Sequence, residues 1–147
     1  MNKALITLLL LCPFTLVLAQ TKPKAKAAAT PVSADTKASI TRGEAVYKQY
    51  CLVCHQADGG GVPNMNPPLI NTTWITGDKK RIIKAVLNGF PTSVDIDGQS
   101  YSNNMPPHNF LKDQEIADVL TYVRASFNNK SSAVKVAEVK LARAAKK

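Results

Sequence analysis

Cys51-Leu52-Val53-Cys54-His55 is the stretch on which the reading of this chain turns. Two cysteines three positions apart sit close to one helical turn apart, so both sulfurs face the same side, and the next residue brings an imidazole beneath them. Cysteines so spaced serve a redox dithiol, half of a zinc site, or the attachment of c-type haem, in which the thiols add to two vinyl groups and the adjacent histidine reaches the iron. A plain Cys51–Cys54 disulfide is a fourth reading. The histidine directly after the second cysteine selects haem. A thioredoxin-like dithiol lies in a βαβ context, whereas the flanks here read as helix and irregular loop. Zinc would need a fourth ligand from distant His108, and zinc ligands usually come as matched local pairs.

Working outward, Thr41-Arg42-Gly43-Glu44 is a capping-box pattern, and Ala45, Val46, Tyr47 and Tyr50 follow it, so a helix is expected from about Arg42 to Cys51. Gly77-Asp78 opens a second helix, with Ile82, Ile83, Val86 and Leu87 at helical spacing and Gly89 as its C-cap. A third begins at Asp113, with Ile116, Val119, Leu120 and Val123 three and four apart, acids early and Arg124 late, and ends near Phe127. Between them, residues 56–75 and 91–110 are rich in Gly, Pro and Asn without a sustained period. Two loops of about 20 residues do not suit a small domain unless something other than side chains fills its middle. A cofactor resolves that objection, and the expected class is all-α.

The 147 residues carry a formal net charge of +9. Its location matters more than its size. Between Ser39 and Phe127 eight basic residues are matched by eight acidic ones, so a basic nucleic-acid-binding face on the folded part is disfavoured. The excess lies in the flanks. Lys3 precedes an apolar run from Ala4 to Ala19, with Val17 and Ala19 placed for cleavage, so residues 1–19 read as a secretory signal peptide. The run is short for a membrane span, and no span is expected after cleavage. Cys12 follows three leucines rather than the small residue of a lipoprotein signal, which leaves Cys51 and Cys54 as the mature cysteines of a protein exported to the periplasm, an oxidising compartment. Residues 20–38, lysine alternating with Pro and Ala, read as a flexible tether; residues 39–127 form the domain; residues 128–147 read as a basic tail, weakly amphipathic through Val134, Val136, Val139 and Leu141, with a marginal helix or strap docked on the domain or on an acidic partner as the alternative.

Haem iron takes a second axial ligand, and Met65, Met105 and His108 are the candidates.

With Gly43, Tyr47, Cys51-x-x-Cys54-His55, Pro67-Pro68-Leu69, Trp74, Tyr101-x-x-x-Met105-Pro106 and a closing helix bearing Tyr122 and Arg124, residues 39–127 resemble the monohaem class I cytochrome c family. The resemblance implies three main helices with long loops wrapped around one haem, attached through Cys51 and Cys54 and ligated by His55 and Met105. It leaves Met65 to packing and His108 as the fallback ligand. It also implies that a carbonyl of the Pro-Pro turn, Pro67 before Pro68, accepts from the other nitrogen of His55. Leu69, Trp74, Ile83, Leu87 and Tyr101 would line the pocket, and Gly43 and Tyr47 would face Tyr122 where the first and last helices cross. Thioether opposite imidazole raises the reduction potential and leaves no open coordination site, so the implied activity is outer-sphere electron transfer, not enzymatic turnover. The implied partners are periplasmic redox proteins meeting a monomer: a dehydrogenase as donor, an oxidase or reductase as acceptor. The stretch from Gln99 to Phe127 is similar to modules that accompany quinoprotein dehydrogenases. The alternatives are a haem sensor or small-ligand binder in which Met105 is displaced, and a thiol-disulfide oxidoreductase.

Overall fold

The computed structural model describes residues 33–145; the expected signal peptide, residues 1–19, and most of the expected tether lie outside them. Six helices and one hairpin follow in order: α1 (Ala34–Tyr50), α2 (Leu52–His55), α3 (Thr73–Thr76), α4 (Lys79–Asn88), β1 (Val94–Ile96), β2 (Gln99–Tyr101), α5 (Asp113–Ala125) and α6 (Val136–Ala144). The class is all-α.

α1 starts earlier than the Thr41 capping pattern suggests. Ser33 caps it, its Oγ accepting from Thr36 N at 3.2 Å. Thr41 instead lies mid-helix with its hydroxyl on Lys37 O, and Glu44 pairs with Lys48 at 2.7 Å. The added turns are held from across the fold. Asp118 on α5, with a side chain only 2% exposed, accepts from Ser39 Oγ at 2.6 Å, from Arg42 Nε and Nη2 at 2.7 and 2.9 Å, and from Gln114 Nε2 at 3.0 Å. A buried carboxylate satisfied in this way anchors α1 to α5, and residues 34–38 become helix rather than tether.

That anchor titrates. Burial alone would raise the Asp118 carboxyl, but donors from Arg42, Ser39 and Gln114 together bring it below its ordinary value. A depressed folded value stabilises above the unfolded value near 4, and the contribution is lost as pH falls through the folded one. Asp118→Asn is therefore expected to melt below wild type at pH 7 and to lose less on acidification from about pH 4 downward, as read by thermal melts across pH; parallel acid limbs would contradict the assignment.

α1 and α5 cross in close contact. A Cβ on Gly43 would lie 2.0 Å from Asp118 O and 2.8 Å from Tyr122 Cβ, so glycine permits the approach. Beside the crossing, the Tyr47 ring packs tilted against both Tyr122 and Phe127, with ring centres 5.4 Å apart, and its hydroxyl donates to Gln56 O at 2.7 Å. Ile116, Val119, Leu120 and Val123 continue the core along α5. α4 follows its sequence signals: Asp78 accepts from Lys80 N at 3.0 Å and Gly89 leaves the helix with φ 65°.

Two features depart from expectation. Within residues 91–110, β1 and β2 pair antiparallel through Ile96↔Gln99 across Asp97-Gly98, both at positive φ, a tight hairpin turn. The expected basic tail is folded back. Phe127 and Asn128, both at positive φ, reverse the chain. Arg124 Nε then donates to Ser132 O at 2.8 Å, Thr121 Oγ1 accepts from Val134 N at 3.0 Å, and Lys79 Nζ donates to Ala133 O at 2.7 Å. Val134 and Val139 are buried against α4 and α5. Buried Arg124 and Thr121 need polar partners, and the returning strap supplies them.

Candidate functional site

Cys51 ends α1, its N–H on Tyr47 O at 2.9 Å, and α2 is a single turn that places Cys54 and His55 directly after it. Both cysteines are free, Cys51 half-buried and Cys54 exposed. Burial, then the neighbouring Cys54, pushes the Cys51 thiol up to about 11, which does not suit a thiolate-driven dithiol. His55 Nδ1 lies 2.9 Å from Pro67 O. A carbonyl only accepts, so the contact sets the proton on Nδ1 and leaves Nε2 free for a metal. Burial also holds His55 below the ordinary imidazole value, outweighing the opposing pull of Pro67 O, so the ring is neutral and able to ligate.

The loop beneath is pinned at several points: Gly61 N donates to His55 O at 3.1 Å, Leu69 N to Gly59 O at 2.7 Å and Val62 N to Asn66 O at 2.9 Å. On the other loop, Met105 exchanges both backbone hydrogen bonds with Phe90, at 2.8 and 3.0 Å, and a Cβ on Gly89 would lie 2.2 Å from Met105 O. Glycine after α4 lets the methionine strand close on the helix end. His108 N, three residues on, donates to Val86 O at 2.8 Å.

These elements enclose an almost wholly apolar cavity with about 770 Å³ of atom-free space, part of it open to solvent. Its wall includes Cys51, His55, Pro67, Pro68, Leu69, Trp74, Phe90, Met105 and His108, backed by Ile82, Val86, Leu120 and Val123. Cys54 borders the adjoining recess with Cys51, His55 and Met105. The arrangement fits haem c. Two free thiols stand at the rim, a neutral imidazole and a thioether share one apolar chamber, and buried His108 Nδ1 has no protein partner.

Of the residues expected at the site, Tyr101 departs from it: it is buried on β2 and lines a separate recess with Val62, Pro63 and Pro68. Ile83 and Leu87 are core residues absent from the cavity wall, where Ile82, Ala85 and Val86 stand instead. The helical phase of α4 explains the exchange: Ile83 lies on the groove facing Glu138 and Leu141 of α6. Met65 is 46% exposed and off the cavity wall.

A family profile described as Cytochrome c matches residues 40–126. The chain belongs to the cytochrome c family. Among its relatives, the cytochrome c subunit of alcohol dehydrogenase (quinone) from Gluconacetobacter polyoxogenes is 33% identical over 98 residues, 60% of this chain and 19% of the relative. Cytochrome c-552 of Thermus thermophilus is 31% identical over 91 residues, 59% of this chain and 69% of the relative. The gluconate 2-dehydrogenase cytochrome c subunit of Pantoea cypripedii is 30% identical over 102 residues, 65% of this chain and 22% of the relative. This cytochrome c thus spans about a fifth of the dehydrogenase subunits it matches. Membership makes it a monohaem class I cytochrome c with covalently bound haem c. No helix among the described residues is long and apolar enough to cross a membrane.

Proposed function

We propose that this cytochrome c is a periplasmic one-electron carrier, not itself an enzyme, that accepts electrons from a dehydrogenase and passes them to an oxidase or reductase. The observation that carries the reading is the shared chamber: His55, its Nδ1 committed to Pro67 O, and Met105, its backbone paired to Phe90, both line it. Cys51 and Cys54 hold haem c, which supplies a one-electron couple when bound. His55 and Met105 would both ligate its iron and so leave no site there for dioxygen or peroxide. The apolar wall keeps water out and favours the less charged, reduced state. The names of the relatives, cytochrome subunits of alcohol and gluconate dehydrogenases, support a dehydrogenase as donor.

Electrons leave through the edge at the cysteines. Val53 is 80% and Phe110 63% exposed there, and Phe110 packs edge-on to Tyr50 at 5.5 Å. An apolar rim suits small, transient redox encounters. The activity is tested by stepwise oxidation of the reduced holoprotein with ferricyanide, in which release of one electron per chain is expected; release of two electrons, or none, would contradict it. Phe110→Glu places like charges face to face when two copies meet, and electron self-exchange measured by NMR line broadening is expected to slow by about tenfold or more. An unchanged rate would place the exit elsewhere.

A further inference from the structure

The segment that follows the family match reaches both loops of the site. Asn129, 3% exposed, accepts on Oδ1 from Asn71 N and donates from Nδ2 to Leu69 O and Val123 O, each at 2.7 Å. Leu69 lies two residues past Pro67, whose carbonyl holds His55. On the opposite side, Arg143 of α6 spreads its guanidinium over the chain beyond Met105: Nη1 donates to Asn109 O at 2.8 Å, Nη2 to Leu111 O at 2.8 Å and Nε to Asp113 Oδ1 at 2.7 Å. We propose that the C-terminal segment clamps the two axial loops separately: Arg143, on the methionine side, sets how readily an outside ligand displaces Met105, and Asn129, on the histidine side, sets how firmly the Pro67 carbonyl holds the His55 ring. The inference rests on His55/Met105 ligation.

The side-chain types fit this work. Asn129 has to supply one acceptor and two donors at short reach; aspartate of the same length has no donors. Arg143 serves as a three-pronged donor, and its planar fork keeps the backbone of residues 109–111 in one arrangement with little entropy to lose. The post on which Arg143 stands is fixed independently of that loop. Val139 is fully buried, Lys135 N donates to Glu138 Oε2 at 2.7 Å, and Lys79 Nζ, from α4, lies 3.3 Å from Glu138 Oε1. Between Met105 and α5 the loop has few other ties, His108 N on Val86 O and Leu111 N on His108 O. Displacing the thioether requires residues 105–111 to swing out, and the swing breaks charge-assisted bonds to Arg143.

The clamp is tested on the full-length holoprotein with imidazole as the competing ligand, following the weak near-infrared sulfur-to-iron band of the oxidised state. Arg143→Gln is expected to raise the imidazole binding rate by about tenfold, the effect of losing roughly one net hydrogen bond. Asn129→Asp is expected to speed solvent exchange of the His55 ring N–H by about tenfold while leaving the imidazole rate within about twofold of wild type. Arg42→Gln loosens the α1–α5 anchor, away from both loops, and serves as the control for a purely structural effect. Unmoved rates in Arg143→Gln, or an equal rise in Arg42→Gln, would overturn the clamp. If Asn129→Asp does not fold, Arg143→Gln alone decides. A wild type without the near-infrared band would remove the ligation reading and the clamp with it, whereas a wild type with the band and unmoved variants removes the clamp alone.

Discussion

Gly43→Ala should cost this cytochrome c most of its stability. The added Cβ would stand 2.0 Å from Asp118 O, 2.5 Å from Asp118 C and 2.8 Å from Tyr122 Cβ, and two of these three atoms are backbone of a regular helix. No rotamer relieves such contacts, so α1 and α5 have to separate. Overpacking alone costs about 1–3 kcal/mol. Here separation also draws Ser39 and Arg42 away from Asp118 and opens the contact of Tyr47 with Tyr122. Leaving a buried carboxylate without its partner costs about 3–5 kcal/mol more. Against a total of about 5–15 kcal/mol the sum approaches global unfolding. Thermal melts of the holoprotein check it: a melting temperature lower by about 15 °C or more is expected at roughly 4–8 °C per kcal/mol, and one within a few degrees of wild type would mean the helices do not meet as described. Gly43→Val should not yield folded protein.

Met105→Ala should keep the fold and change the redox centre. Met105 is half-buried, and its backbone pairing with Phe90 does not depend on the side chain. Without the thioether, three outcomes are expected together: loss of the sulfur-to-iron band in the near infrared, binding of carbon monoxide by the reduced protein, and a reduction potential lower by an amount on the order of 0.2 V, a fraction of the roughly 0.8 V that axial ligation spans. Retention of the band would move the ligand elsewhere. His108 is then the residue to replace next, since it lines the same chamber and its buried Nδ1 has no partner.

Much of the site was legible because its signals are local. Cys51, Cys54 and His55 are fixed relative to one another by a single helical turn, and Asp78 and Gly89 mark α4 by the backbone conformations they favour. The contact between His55 and a proline carbonyl was legible through resemblance rather than through spacing. What escaped depends on contacts distant in sequence. The start of α1 is decided by Asp118, 79 residues from Ser39, so the capping box at Thr41 was overridden by a tertiary anchor. The folding of residues 128–145 follows from buried Arg124 and Thr121 requiring partners, and helical periodicity shows the burial of a position but not its need for an acceptor. Reading residues 128–147 chiefly as a tail also left that face of α4 without a neighbour, and Ile83 was expected at the cofactor rather than beside α6. Asn129 escaped for the same reason, since an asparagine just past a helix end reads as a turn residue until Leu69 and Asn71 are brought to it. One missed signal was local, the Asp97-Gly98 pair between Ile96 and Gln99, a strong short-range mark of a hairpin.

The central claim, an electron carrier whose iron is closed on both faces by His55 and Met105, is tested most directly by visible and near-infrared spectra of the full-length holoprotein, oxidised and reduced, at neutral pH with and without carbon monoxide. A narrow c-type alpha band on reduction, a weak near-infrared band on oxidation, and a reduced spectrum that carbon monoxide leaves unchanged are the expected results. A reduced spectrum that shifts at once under carbon monoxide, with no near-infrared band before it, would show an open iron and contradict the account.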